Sequence, residues 1–253
     1  MSLPLLQSRR RLLTRLVHLL AVLTPIFLVA CGAPEQEVAT PGPTPTPLEI
    51  LGIASERLAA TPSVHFTLEV QGATFIDTGE NIRLLGAEGD LQRPDRVQTT
   101  FQAEVLARTI SLQLITIGDT SWTTNILTGD WGPAPLEFAY RPDILFSTQD
   151  GIGPVMGRVE NVERLDDETI EGRPSYHLRA SVDESIVGPL SYYTLKGSPV
   201  TIDLWIDRET DDLLRARLSE PPGEERPNPA VWTLDLSHHG EDVSIEQPAV
   251  SDE

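Results

Sequence analysis

The side chain best suited to chemistry in this chain is Cys31, the only cysteine among its 253 residues. It stands in Leu28-Val29-Ala30-Cys31-Gly32, behind a basic and then an apolar run. A lone thiol after a small residue in that setting reads as a bacterial lipobox, where a lipid is attached to the cysteine and the chain is cleaved just before it. No second thiol is present, so a disulfide framework and a cysteine metal site are both excluded.

The remaining reactive side chains do not assemble into a site by spacing. His18 belongs to the apolar leader, and His65 and His177 fall on the polar side of alternating segments, which places both at the surface. His238-His239 lies near Asp235 and Glu241, but adjacent strand residues point to opposite faces and do not share a metal readily. Asp207-Arg208-Glu209-Thr210-Asp211-Asp212 has the carboxylates of a calcium loop, yet Asp212 and Ser219 stand where such a loop needs glycine and glutamate. It reads as an acidic hairpin turn. Nucleophile-elbow, phosphate-loop, metalloprotease and dinucleotide motifs do not occur. The expectation is therefore no enzyme, with no catalytic residues, no metal and no cofactor.

The leader itself is short. Arg9, Arg10, Arg11 and Arg15 precede an apolar stretch of roughly 15 residues from Leu16 to Ala30, which is interrupted by Pro25, whereas a bilayer span needs about 20. Residues 1–30 thus read as a lipoprotein signal peptide. Removing its four arginines from the 19 basic residues leaves 15 against 38 acidic ones, a net charge of −23. So acidic a surface repels nucleic acid and anionic headgroups alike. Attachment to a membrane then falls to the modified cysteine, carrying diacylglycerol and palmitate, on the extracytoplasmic face. Residues 31–47, with APEQEVATPGPTPTP after the lipobox, form a Pro/Thr-rich linker that cannot build a core. Its reach is up to roughly 45 Å at about 3.1 Å per residue.

Residues 48–253 are long enough to bury one core. Thr46-Pro47-Leu48-Glu49 is a capping box with proline at the first helical position, and Leu48, Leu51, Ala54 and Leu58 follow at helical spacing. Period-two alternation then dominates. It runs through Val64 to Val70, Val97 to Val105, Tyr176 to Val182, Val200 to Ile206 and Trp232 to Leu236, with Gly- and Pro-containing turns between. These segments predict a mainly β (α+β) fold: one large curved antiparallel sheet of about ten or eleven strands, with helices and lid segments on its concave face. Two stretches break the alternation, 133–157 and 184–198. Both are too apolar for solvated loops and serve either as lids or as core filler. The first is expected to hold a short helix around Asp143 to Thr148 and a turn near Pro154 to Arg158.

The order of these elements resembles the LppX/LprAFG lipoproteins of mycobacteria, which share a half-barrel fold with LolA-type lipoprotein carriers. The resemblance rests on the lipobox, the helix leading into Ser63-Val64-His65-Phe66-Thr67-Leu68, and Ile117-Gly118-Asp119-Thr120-Ser121-Trp122. It continues in Ile170-Glu171-Gly172-Arg173-Pro174-Ser175-Tyr176-His177 and is sharpest in Val200-Thr201-Ile202-Asp203-Leu204-Trp205-Ile206-Asp207-Arg208. These motifs are structural, so they imply a fold and a lipid or glycolipid cavity but transfer no binding residues. Candidates for the cavity come from the two irregular stretches: Ile144, Leu145, Phe146, Ile152, Val155 and Met156 in one, and Ile186, Val187, Leu190, Tyr192 and Tyr193 in the other. Apolar walls suit acyl chains, whose burial yields about 0.8 kcal/mol per methylene without any specific hydrogen bond. The resulting expectation is a membrane-anchored lipoprotein that binds a lipid or glycolipid and carries or presents it in the cell envelope. The other expectation left open is an envelope sensor of the same fold that contacts a protein partner and has no lipid cargo.

Overall fold

A computed structural model describes residues 44–75, 79–135, 144, 147, 151–159, 161–191, 193–223 and 228–250. The expected signal peptide, the expected lipobox and most of the expected linker lie outside the described residues. Thr44–Glu253 is a compact unit by itself. Its elements are α1 (Pro47–Ala60), β1 (Ser63–Gln71), β2 (Ile82–Gln92), β3 (Arg96–Val105), β4 (Arg108–Ile117), β5 (Thr120–Thr124) and β6 (Trp131–Pro133), followed by α2 (Ile152–Gly157), β7 (Glu163–Arg164), β8 (Glu168–Ile170), β9 (Arg173–Val182), α3 (Glu184–Val187), β10 (Val200–Asp207), β11 (Leu213–Ser219) and β12 (Val231–Ser237).

The strands form one open antiparallel half-barrel in the order β6-β5-β4-β3-β2-β1-β12-β11-β10-β9-β7, with β8 also paired to β9. The first long strand lies beside the last, so β1 and β12 join the two halves. Twelve strands replace the ten or eleven expected. The turn expected near Pro154 to Arg158 is helical, as α2, and most of the helix expected around Asp143 to Thr148 lies outside the described residues.

The capping box forms as its residue types require. Thr46 Oγ1 accepts from the Glu49 N–H at 3.3 Å, while Glu49 Oε2 accepts from the Thr46 N–H at 2.7 Å. Those bonds to the charged form hold the Glu49 carboxylate below its ordinary range. Ile50, Leu51, Ala54 and Leu58 bury one side of α1 in the core, with α2 and the inner residues of β1–β3 and β9–β12. Leu48, by contrast, is exposed, because the helix turns it away from the sheet.

Two clamps hold α1 in place. Arg93, from the β2–β3 turn, donates to the Thr61 and Leu58 carbonyls at the helix C-terminus, at 2.8 and 3.1 Å. Arg57 donates to Asp212 Oδ1 at 2.8 Å. Beyond β12 the chain crosses the ends of β1–β3 as a strap: Gln92 and Arg96 donate to the Val243 and Ile245 carbonyls at 2.7 and 2.6 Å, and Ile245 is buried.

The outer face of the sheet is laced by polar pairs set by register. Arg179 stands opposite Asp203 and donates to it at 2.7 Å, and Arg215 pairs with Asp235. His177 stands opposite Trp205 and stacks on it at 4.4 Å between centroids. This corrects the surface expectation for His177, which is only 6 % exposed. Its two ring nitrogens meet Glu168 and Asp203, each at 2.9 Å, so β8 and β10 cover it. Glu168 also accepts from Trp205 Nε1 at 3.1 Å.

Candidate functional site

Between the inner face of the sheet and the described segments laid across it is a partly open apolar space of about 120 Å³. Three groups of residues wall it. The sheet contributes Phe66, Leu68, Ala87, Val97 and Phe101 from one half and Ile202, Leu204, Ala216, Leu218 and Leu234 from the other. Helix α2 contributes Ile152, Val155 and Met156. The segment 183–199 contributes Val187, Leu190 and Leu195. Alternation along the strands aims their residues inward. The small side chains of Ala87 and Ala216, flanked by Leu68 and Phe101 and by Leu204 and Leu234 across the ladders, leave the space between them.

The polar atoms at the wall have partners within the protein. Thr99 Oγ1 donates to the Glu88 carbonyl at 3.0 Å, Ser191 Oγ to the Gly188 carbonyl at 3.3 Å, and Trp232 Nε1 to Thr74 Oγ1 at 3.1 Å. Among the described residues of the wall, no side-chain polar atom is left without a partner. An apolar void that is not filled costs stability, on the order of 24 cal/mol per Å³, or about 3 kcal/mol for 120 Å³.

Among the sequence candidates, Ile152, Val155, Met156, Val187 and Leu190 line the space. Ile144 does not, Ile186 packs half-buried against the core beside it, and Tyr193 is turned to solvent. Leu145, Phe146 and Tyr192 lie outside the described residues, as does Cys31. The strand residues of the wall were absent from the candidates, although period-two alternation marks them as inward-facing.

The model of the LppX_LprAFG lipoprotein family matches residues 46–245, which is nearly all of this domain. The chain belongs to that family. LprF of Mycobacterium bovis and of Mycobacterium tuberculosis, whose name carries a proposed role as a diacylated glycolipid transporter, is 23 % identical over 195 residues, spanning 74 % of this chain and 72 % of its own. The crystal structure of LprF from Mycobacterium bovis superposes with a TM-score of 0.64 at 21 % identity, covering 81 % of this chain and 99 % of that one. LppX from Mycobacterium tuberculosis gives 0.57 at 17 % identity, covering 79 % and 97 %. These structures share the LppX_LprAFG fold seen here.

The segment 183–199 closes on itself at its base. Asp183 Oδ1 caps α3 by accepting from the Ser185 N–H at 3.0 Å, and its other oxygen accepts from Ser198 Oγ at 3.1 Å. These bonds hold the Asp183 carboxylate below its ordinary range. Glu184 Oε2 accepts from the Gly197 N–H at 2.5 Å, so both ends of the segment are tied together. One latch joins it to the β11–β12 connection: buried Glu220 accepts from the Lys196 N–H at 2.6 Å and from the Ala230 N–H at 2.8 Å. Such a segment, tied at its neck and packed by its own side chains, is a compact structural unit.

The acidic turn is a structural knot. Asp207 Oδ1 accepts from the Glu209 and Thr210 N–H groups at 2.7 and 2.8 Å, and Arg173 bridges Asp207 and Asp212 at 2.7 and 3.2 Å. Burial acts to raise both carboxylates, yet these bonds outweigh it and hold both below the usual range. His239 donates from Nε2 to the Leu213 carbonyl at 3.0 Å, and burial pushes its pKa down despite nearby Asp212. Arg57, Arg173, the Thr210 hydroxyl and backbone amides occupy the carboxylate oxygens of Asp207 and Asp212.

Proposed function

We propose that this chain is a membrane-anchored, extracytoplasmic lipoprotein that binds a lipid or glycolipid by its acyl chains and carries or presents it in the envelope. The observation that carries this reading is the unfilled apolar space between sheet, α2 and lid. Its wall offers burial for hydrocarbon and, among the described residues, no unpartnered side-chain polar atom, a combination that suits acyl chains. Cys31, through its lipobox, is the anchor, and the proline-rich linker is the tether.

A volume of about 120 Å³ is well below the roughly 300–1,000 Å³ of ligand pockets. Loading therefore requires the lid to move off the sheet. The Lys196–Glu220 latch is the place where it would part from the β11–β12 connection, while α1 stays clamped by Arg57 and Arg93. Family kinship supports the reading, and the proposed transport role carried by the name of LprF points the same way.

The test uses residues 44–253, which contain the whole compact unit. Organic extracts of the purified protein are examined by mass spectrometry, and the delipidated protein is offered a fluorescent diacylated lipid from micelles. Co-purified diacylated lipid or saturable uptake is the expected result. Absence of both would sink the proposal.

A further inference from the structure

Most large apolar side chains of the described residues are covered, but four exposed ones share one end of the sheet. Strands β3, β5 and β9 all run in the same direction, so the β3–β4 turn, the β5–β6 loop and the lid emerge together. The β3–β4 turn presents Leu106, 90 % exposed. The β5–β6 loop presents Ile126 and Leu127, 54 % and 93 % exposed, and the lid presents Tyr193, 60 % exposed.

Their backbone makes this display hard to treat as incidental. Leu106 and Ala107 have φ of 49° and 58°, a two-residue hairpin turn with both residues left-handed. Asn-Gly is the usual choice there, and a bulky side chain at positive φ is an outlier. Tyr193, at φ 57°, is a second. The β5–β6 loop is held rigidly: Asn125 Oδ1 accepts from the Leu127 and Thr128 N–H groups at 2.8 and 3.2 Å, and the Gly129 N–H donates to the Asn125 carbonyl at 2.8 Å. Strained or braced backbone thus holds apolar side chains out in water, and such outliers point to function.

We propose that this end of the domain docks on the surface of a lipid bilayer, with Leu106, Ile126 and Leu127 entering the interface and Tyr193 resting in it. The four side chains sit on three separate elements and form no continuous groove. A bilayer, being soft and uniformly apolar below its headgroups, accepts separate tips without shape complementarity. Tyrosine, with an apolar ring and a polar tip, suits the headgroup level. The lid emerges at this same end, so docking sets the cover of the cavity against the membrane that supplies or receives lipid. The inference rests on the carrier reading for its purpose alone. The acidic domain is repelled by anionic lipid, so the favoured surface has neutral headgroups.

Residues 44–253 contain no cysteine, which permits a clean test. Flotation with phosphatidylcholine vesicles is compared between the wild type and a Leu106→Ser, Leu127→Ser, Tyr193→Ser variant. A Leu127→Cys variant and a Glu171→Cys variant, the latter at the opposite end of β9, carry an environment-sensitive dye. Expected results are flotation that falls at least tenfold in the triple variant, weaker flotation of wild type when phosphatidylglycerol is added at low salt, and a blue shift at position 127 but not at 171. Uptake of the fluorescent lipid from micelles stays at the wild-type level in the triple variant. No flotation of wild type, equal flotation of the triple variant, or an equal shift at position 171 would each overturn docking. So would recovery of a single envelope protein that binds these residues while vesicles do not. Flotation of a wild type that takes up no lipid from micelles supports docking and removes only the carrier reading.

Discussion

Met156→Ala tests whether the cavity accepts hydrocarbon, because one substitution enlarges it from the wall. Met156 is 2 % exposed and sits on α2 between the core and the space. The change removes three heavy atoms, about 2.4 kcal/mol at roughly 0.8 kcal/mol for each methylene-sized group. A void term adds to this where the surroundings cannot collapse. Here they are restrained, since Ser55 Oγ on α1 donates to the Gly153 carbonyl at 2.7 Å and pins α2 in place. The cost for delipidated protein is therefore placed near the middle of the observed range, at about 3–4 kcal/mol. For a domain of this size that is a fall in Tm of about 6–16 °C, at roughly 2–4 °C per kcal/mol.

A lipid chain entering the enlarged space refills part of the void, so the variant gains more from lipid than the wild type does. Calorimetry of delipidated protein with and without a saturating diacylated phospholipid measures this difference directly. Met156→Leu, which nearly conserves volume, serves as the control and should cost less than about 1.5 kcal/mol. The reasoning is refuted if the fall in Tm is the same with and without lipid, because the void would then lie where no ligand reaches.

Three further outcomes follow from the same geometry. Glu220→Ala removes the acceptor of the Lys196 and Ala230 N–H groups, so amide exchange at Lys196 should rise at least tenfold with α1 protection unchanged, and micelle-delivered lipid should enter faster; unchanged exchange at Lys196 would show that the latch holds nothing. Asp207 and Asp212 have folded pKa values below their unfolded ones, so their contribution is present above the unfolded value of about 3.9 and is lost as pH falls through the folded values. Asp212→Asn should cost about 2 kcal/mol near neutral pH and flatten that acid limb, as followed by urea unfolding at several pH values. Cys31→Ser should leave the protein released or its leader uncleaved, as judged by fractionation and intact mass. A variant that remains membrane-bound with its leader removed would end the lipoprotein assignment.

How much of this was legible depended on whether the signal was local. The capping box of α1 and the alternation in β1, β3, β9, β10 and β12 are properties of neighbouring residues, and they appear where the sequence puts them. Strands β6, β7 and β8 are two or three residues long, too short to have a period, which is why the strand count was low. In β2 the alternation is broken by Gly86 and Gly89. Their role is visible only in three dimensions, since a Cβ on Gly89 would stand 2.1 Å from the Gln98 carbonyl oxygen. His177 was misplaced for a similar reason: its cover comes from Glu168 on one side and Trp205 across the ladder, and periodicity reports neither. The cavity wall needed a volume mismatch between Ala87, Ala216 and their larger neighbours on paired strands, and register is what brings those residues together.

The division between the two faces of the sheet explains how the fold tolerates an underfilled interior. Ion pairs and the His177–Trp205 stack tie β9 to β12 across the outer face, while the strap around Ile245 closes the ends of β1–β3. Helix α1 is fixed by Arg57 and Arg93 and fills the core, yet it contributes no side chain to the cavity wall. The parts that do wall the cavity from above are α2 and the lid, and the lid is held to the rest by Glu220 and apolar contact. Stability is thus concentrated in elements that need not move. On the proposed reading, opening falls to the segment 183–199, whose neck is tied and whose polar attachment to the rest of the described residues runs through the Glu220 carboxylate, and that segment emerges at the end where Leu106, Leu127 and Tyr193 are held out in water.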